Sequence, residues 1–369
     1  MKKYFSPGRI NLIGEHIDYN GGNVFPCAID LGVTGMLDVN NSNYIRLHSK
    51  NINSRVITID YMKKFVKTNT WADYMIGVLD VFRKHGYENE IGFDLEIDST
   101  LPQGTGLSSS ACIEVLMAVI LNDLNNFGLS DKDISVYAKE AENNFVGVNC
   151  GIMDQFIIAN GKKNHALLLN TDTLKFSPIK LELNEHTILI INSNKKRGLV
   201  DSIYNIRREE CQKATDIAIK EFGVSNLCDI DVNQLEKIKG QMNENVYKRA
   251  YHAVHEQQRV TLAIKALKEN NIKLFSKYVT KAHYSMKDYF EASCNELDFL
   301  VETALKLGAL GARMIGAGFG GCAIAIIKNE DVNDFKYKIK ERYKKEFNLD
   351  CFVHDVRIVE KCQLVKADD

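Results

Sequence analysis

An α+β protein of two domains is what this sequence predicts, and three observations carry the prediction. At 369 residues the chain is long enough for two full-sized cores. Residues 24–58 alternate apolar with polar side chains in the manner of antiparallel strands, and a strand, a glycine-rich loop and a buried helix follow. From residue 201 the pattern changes to long helices of mixed charge that continue to about residue 307. The expected domains are 1–185 and 186–369.

The loop at 101–111 reads Leu-Pro-Gln-Gly-Thr-Gly-Leu-Ser-Ser-Ser-Ala. Residues 93–97 before it alternate as a strand, and 112–121 after it are apolar on nearly every side. Glycines bare the backbone N–H groups, the first N–H groups of a helix lack intrahelical partners, and the helix dipole puts partial positive charge there. Serine hydroxyls add donors and a ligand for a hard cation, so an anion, above all a polyphosphate, belongs at this place. A plain N-cap is the competing reading, but one serine oxygen suffices for a cap and here there are three. No Walker A pattern occurs in the chain, so this is a phosphate loop of another kind.

The N-terminal segment 8–22 is equally dense. Arg9, Asn11, Glu15, His16, Asp18 and Asn20 alternate with Ile and Leu among four glycines. A strand ending in a polar turn accounts for Asn20-Gly21. It does not account for two carboxylates and an imidazole within four residues. Such groups grip the hydroxyls of a polyol, because ionised acceptors make the stronger hydrogen bonds. Metal ligation ranks second, since the recurring histidine spacing it needs is missing.

Residues 33–39 and 44–48 alternate, and 71–82 form an amphipathic helix opened by Trp71, the only tryptophan, which suits either a core or a wall beside adenine. Helical spacing at 131–145 carries Glu140 and Glu142. Asp154 opens an apolar run, so it either caps a helix or serves as a general base or orienting anion. Residues 165–170 and 187–192 read as buried strands. His252 and His255, three apart on a helix, suit packing or the surface better than a metal. Residues 316–321 match G-x-G-x-x-G, but a helical stretch (297–310) precedes them and a strand (322–327) follows. A dinucleotide fingerprint needs the reverse order, which excludes a dehydrogenase.

A net charge of -1 and a pI near 6.8 give no electrostatic case for nucleic acid or an anionic membrane. Nine scattered cysteines without a C-x-x-C point to reduced thiols and a cytoplasmic setting. The start of the chain lacks the apolar stretch of a signal peptide, and no run has membrane-spanning length.

Together these segments resemble the GHMP family of small-molecule kinases, and within it the galactokinases. Residues 8–22 look like the galactokinase signature, 101–111 like the second GHMP motif and 311–322 like the third; 150–155 and 202–208 are of the same type. The resemblance covers essentially the whole chain. It implies a first lobe related to ribosomal S5 domain 2, a ferredoxin-like second lobe, and a site between them in a monomer. It implies transfer of phosphate from ATP to the anomeric hydroxyl of α-D-galactose, the entry step of galactose use. ATP phosphates would lie on Gly104, Thr105, Gly106, Leu107, Ser108, Ser109 and Ser110, with adenine near Trp71, Tyr74 and Ser49. Magnesium would be held by Ser110 and Glu142, and galactose by Glu15, His16, Asp18, Gly151, Asp154 and Tyr204. Asp154 would be the base or orienting anion, with Arg9 keeping it charged and stabilising the transferring phosphoryl group.

Departures from the family pattern bear on substrate choice. Only six residues precede Pro7, which predicts a thinner cover over one side of the sugar pocket. Ile17 replaces the commoner Thr, Gln103 and Thr105 replace smaller or apolar residues, and Lys196 stands where some relatives have Arg. The Glu-His-Ile-Asp form of the motif also occurs in N-acetylgalactosamine kinases, the alternative substrate reading. A catalytically silent sugar sensor would show damage to the second motif or Asp154, and both are intact.

Overall fold

The computed structural model describes residues 1–52, 55–102, 106–195 and 200–365. β1 (Lys2–Asn11) buries its last six residues and leads through a polar loop to β2 (Asn23–Val24) and the long β3 (Pro26–Val39). β4 (Tyr44–Ser49) and β5 (Ile57–Asp60) form a hairpin before α1 (Asp73–Lys84). Next come β6 (Phe93–Ser99), α2 (Ser109–Asn125) and α3 (Asp131–Glu140), and α3 runs directly into a π-helical turn at Ala141–Val146. α4 (Met153–Asn160), β7 (His165–Asn170) and β8 (Phe176–Lys180) complete the first half.

The second half opens with β9 (His186–Asn192) and continues through α5 (Val200–Phe222), α6 (Val232–Ile238), α7 (Glu244–Lys268), α8 (Ile272–Ser285) and α9 (Asn295–Lys306). β10 (Gly311–Met314), β11 (Cys322–Lys328), α10 (Val332–Phe347), β12 (Phe352–Asp355) and β13 (Gln363–Leu364) finish the chain.

The described residues form three sheets. The largest has the order β13-β1-β3-β6-β4-β5, the second β10-β11-β9-β12 and the third β2-β7-β8. The second sheet draws its strands from His186 onward, and the tail crosses back. Ile358 bridges to Ile29, and β13 pairs with β1, so the last strand belongs to the first sheet. The strands at 24–58 are not the simple antiparallel set expected. β6 inserts between β3 and β4, and β4 runs parallel to β6. Alternation reveals which face a side chain takes, not which strand lies beside it.

The second sheet shows why its strands read as unbroken apolar runs. Ile188 and Ile190 of β9, with Ile324 and Ile326 of β11, join the large core shared with the first half. Leu189, Ile191, Ala323 and Ala325 point the other way, into a second core with Leu297 and Leu300 of α9 and Phe335 and Ile339 of α10. A sheet covered on both faces needs apolar residues on both.

α7 crosses behind the polar loop 12–22 and carries charge into the interior. Glu256 is fully buried, and its Oε1 accepts from the Gly14 N–H at 2.8 Å while Oε2 accepts from Arg259 Nε at 2.6 Å. Burial alone would raise its pKa, but Arg259, His252 and Arg313 bring it down to about 2. His252 Nε2 meets the Glu15 carbonyl at 3.1 Å, so the histidine packs and bonds as expected rather than binding a metal. Removing Glu256 leaves the Gly14 N–H and two guanidinium groups short of their anion. We expect Glu256→Ala to lose about 3–5 kcal/mol, read as a lower urea midpoint at pH 7. The depressed pKa means this contribution is present above the ordinary glutamate range and fades as pH falls toward 2, so the gap between the two proteins should narrow in acid.

Candidate functional site

A cavity of about 340 Å³ lies where the three glycine-bearing segments meet. Arg9, Glu15, His16 and Asp18 line it from the first segment, Gly106 to Ser110 from the second, and Gly316 and Ala317 from the third. Gly151, Asp154 and Tyr204 complete it, together with Leu101, Pro102, Val148, Asn149, Cys150 and Met153, which sequence reasoning did not assign. Gly104 and Thr105, along with Gln103 and Lys196, lie outside the described residues.

Arg9 sits at the buried end of β1 and forks across Asp154. Nε donates to Oδ1 and Nη2 to Oδ2, each at 2.7 Å, while Nη1 donates to the Gly106 carbonyl at 2.7 Å. Asp154 lies in the first turn of α4, and the N-cap position there is Ile152, so Asp154 does not cap the helix. Ser108 does occupy the N-cap position of α2, but its side chain makes no capping bond. A left-handed backbone (φ 67°) turns its hydroxyl to donate to Asp154 Oδ2 instead. This partner was missed because sequence shows that a serine precedes a helix, not which way its backbone turns.

Asp18 faces Asp154 across the cavity. Burial, then the neighbouring charges of Asp154 and Glu15, push its pKa up to about 7 against the pull of Arg208. Gly151 abuts it, and a Cβ at that position would fall inside the contact distance of Asp18 Oδ2. Arg208 of α5 donates to the Asn149 carbonyl at 2.5 Å and lies 5.1 Å from the centre of the Tyr19 ring. Tyr204, one turn earlier on α5, stands 5.6 Å from the His16 ring and 5.9 Å from Tyr19.

Glu15 is buried, and its Oε1 accepts from the Gly316 N–H at 2.8 Å, with Arg313 Nη2 at 3.5 Å. Burial raises its pKa, opposed by Arg313 and Arg9. His16 stacks on Phe290 at 4.3 Å and has both ring nitrogens engaged, one by the Tyr19 hydroxyl at 2.8 Å and one by the Ala317 carbonyl at 3.2 Å. Burial drives its pKa down to about 3, so the ring is neutral. Through these contacts the ring links the third glycine segment to the aromatic wall. That segment joins β10 to β11, so a strand precedes it as well as follows it. It is a hairpin connection, which still lacks the helix that a dinucleotide fingerprint opens.

Behind Ser110 lies a second cluster of acids. Glu142, on the π-helical turn, is buried and hydrogen-bonds the Ser110 side chain. Its Oε2 also accepts from Gln155 Nε2 at 2.6 Å and Cys150 Sγ at 3.3 Å. Gln155 Nε2 reaches Glu114 Oε2 at 3.0 Å as well. Burial and then Glu142 raise the pKa of Glu114 well above the usual range. Its signal was in the sequence: a lone carboxylate inside the apolar helix, four residues after Ser110. Trp71, Tyr74 and Ser49 do not line the cavity; Trp71 leans on the core ahead of α1, and Ser49 is buried at the end of β4.

Comparison with known proteins shows the family. The chain matches the galactokinase galactose-binding signature at residues 3–38, the GHMP kinases N terminal domain at 73–162 and the GHMP kinases C terminal domain at 263–345. It is 43% identical to the galactokinase of Clostridium acetobutylicum over 97% of this chain and 93% of that one. The chain belongs to the galactokinase family. The Bacillus subtilis galactokinase is 42% identical over 96% of this chain and 93% of its own length. Among solved structures, the Lactococcus lactis galactokinase complexed with galactose superposes with a TM-score of 0.95 at 37% identity, covering 99% of this chain and 95% of that one. Mevalonate kinase from Methanococcus jannaschii, at 21% identity and a TM-score of 0.71, shares the fold over 97% of this chain and 98% of its own.

Within this galactokinase-family chain, the close approach of Gly151 to Asp18 leaves no room for a side chain. We expect Gly151→Ala to displace the Asp18 carboxylate and to weaken galactose binding by about 10–100-fold, the scale of one lost hydrogen bond to a charged group. Calorimetric titration with galactose measures the loss. A variant that binds like the parent would show that Asp18 can stand elsewhere without consequence.

Proposed function

We propose that the protein transfers the γ-phosphoryl group of ATP to the anomeric hydroxyl of α-D-galactose. The observation that carries this reading is Arg9, which joins Asp154 to the Gly106 carbonyl of the phosphate loop with one guanidinium. The group that orients a nucleophile and the loop that cradles phosphate thereby share a single cation. Membership of the galactokinase family supports the choice of sugar.

In this reading the N–H groups from Gly106 to Ser110, at the start of α2, hold the phosphates. Asp154 accepts a hydrogen bond from the 1-hydroxyl and aims its oxygen at the γ-phosphorus. As the new O–P bond forms and the bond to the ADP oxygen breaks, the hydroxyl proton leaves toward Asp154. Arg9 holds Asp154 in place and offers positive charge to the phosphoryl oxygens. Asp18, Glu15 and Tyr204 take the remaining sugar hydroxyls, and Trp71, Tyr74 and Ser49 stay assigned to the adenine side.

Ser110 and Glu142 suit magnesium, because they are hard oxygen donors in contact with each other, with Ser110 lining the cavity at the start of α2 and Glu142 behind it. Bound there, the ion supplies neutralising charge to the β- and γ-phosphates. Among the described residues no cluster of three or more His, Cys, Asp or Glu could hold a metal ion. Among the described residues no helix is long and apolar enough to cross a membrane. The free thiols support a reducing, cytoplasmic setting, and a monomer is part of the same proposal.

The test is ADP release with galactose, N-acetylgalactosamine and glucose, each with and without magnesium. Galactose should be preferred over glucose by at least ~10²-fold in kcat/KM, because the wrong epimer leaves a buried acceptor unpaired. Faster turnover of N-acetylgalactosamine would overturn the sugar assignment. In the same assay Asp154→Asn should lose about 10²–10⁴ in rate with its melting temperature nearly unchanged. Full turnover would reduce Asp154 to a packing role.

Asp18 adds a pH dependence with a definite sign. Its pKa is about 7 in the free protein, so it is increasingly protonated below that value. Galactose hydroxyls donate to the charged form, and binding must then expel a proton. Galactose affinity should fall toward about tenfold per pH unit below 7 and level off above it. Calorimetry at pH 6, 7 and 8 reads this directly, and equal affinities at all three would exclude Asp18 as an ionised acceptor.

A further inference from the structure

We infer that Gln155 and Glu114 are positioning residues, whose task is to fix the carboxylate of Glu142 relative to Ser110 and Asp154. The inference rests on the reading of Ser110 and Glu142 as the magnesium site. Gln155 and Glu114 are both fully buried and neither lines the cavity. Gln155 follows Asp154 on α4, and Glu114 lies one turn below Ser110 on the same face of α2.

The Gln155 amide gives both of its protons away, one to Glu114 Oε2 and one to Glu142 Oε2. Its nitrogen thereby bridges the two carboxyl groups. Glu114 anchors one side of the amide and Glu142 is held by the other. Three elements are thereby tied at one nitrogen: the helix bearing Ser110, the π-helical turn bearing Glu142 and the helix bearing Asp154. The arrangement is poor as pure structure. Among the described residues Gln155 Oε1 and Glu114 Oε1 are enclosed without a hydrogen-bond partner, and two buried acids sit side by side. Apolar side chains would fill the space at lower cost. Incompletely satisfied polar groups behind a ligand carboxylate are what outer-shell positioning looks like.

Manganese binding to the full chain in the presence of ADP tests this without turnover, read as loss of the free-ion paramagnetic resonance signal. Gln155→Met keeps volume and helix propensity but removes the donor, and should weaken manganese binding by about 10–100-fold. Glu114→Met, which removes the anchor, should weaken it in the same direction, and it carries the test alone should Gln155→Met fail to fold. Glu114→Gln retains an acceptor for the amide and should stay within about threefold of the parent. Galactose affinity, measured by calorimetry, should be unchanged within about twofold in all three. Parent-like manganese binding in the methionine variants overturns the inference. So does an equal loss of galactose and manganese binding, which marks a general structural role. If the parent binds ADP with no dependence on the cation, the magnesium reading itself falls and the inference with it.

Discussion

The contact between Arg9 and Asp154 is the constraint around which the site is arranged. Arg9 is nearly fully buried, and a guanidinium cannot shed its charge, so every N–H it carries inward must find an acceptor. Asp154 supplies two and Gly106 a third. Such a pair contributes little to stability in itself, since desolvating two ions offsets most of their attraction. What it fixes is registration. The end of β1, the first turn of α4 and the loop before α2 are far apart in sequence, and each is held to the same planar fork. Ser108 adds a fourth tie by spending its hydroxyl on Asp154 rather than on its own helix.

Glycine makes this convergence sterically possible. A Cβ at Gly8 would stand 3.1 Å from the Leu107 carbonyl and 2.9 Å from that of Leu31, and one at Gly316 would stand 3.2 Å from the Gly106 carbonyl. The phosphate loop therefore packs between two other backbones. Electrostatics then decides what the enclosed space accepts. Asp18, Asp154 and Glu15 are acidic neighbours, and Arg9 is the one cation lining the cavity among the described residues. A ligand rich in hydroxyl donors supplies the hydrogen bonds that these carboxylates lack. An anionic ligand would be repelled from this side and drawn to the helix end at Ser109 and Ser110.

Much of this was legible in the sequence, for identifiable reasons. Period-two alternation marked β3, β4 and β6, and the unbroken apolar runs of β9 and β11 marked strands buried on both faces. Residue types marked the cavity, because Glu15, Asp18 and Asp154 have no business in apolar surroundings without a task. Pairing between distant segments was not legible. The parallel match of β6 with β4 and the return of the tail to β1 depend on tertiary packing that no local pattern encodes. The helix at 131–145 was seen as one element, whereas a π-helical turn takes over at Ala141 and re-aims Glu142 inward. His16 was assigned to the sugar from its type and from the family resemblance. Its two ring nitrogens prove to be engaged by Tyr19 and Ala317, which only the folded geometry could show.

The second half of the chain does more than close the cavity, because it controls the charge of the first. Arg313 is completely buried on β10 and donates to the Leu12 and Met314 carbonyls, while its remaining nitrogen faces Glu15. Glu256 stands behind it and accepts from the Gly14 N–H. The loop that carries Glu15, His16 and Asp18 is therefore held through its backbone by side chains from α7 and β10. A loop held only by its own turns could relax when a carboxylate changed its charge. Here relaxation would break hydrogen bonds to buried ions, and the low dielectric of the interior makes each such loss large. The rigidity that lets Asp18 keep a raised pKa beside Asp154, instead of swinging out to water, originates in residues roughly 240 to 300 positions away in the chain.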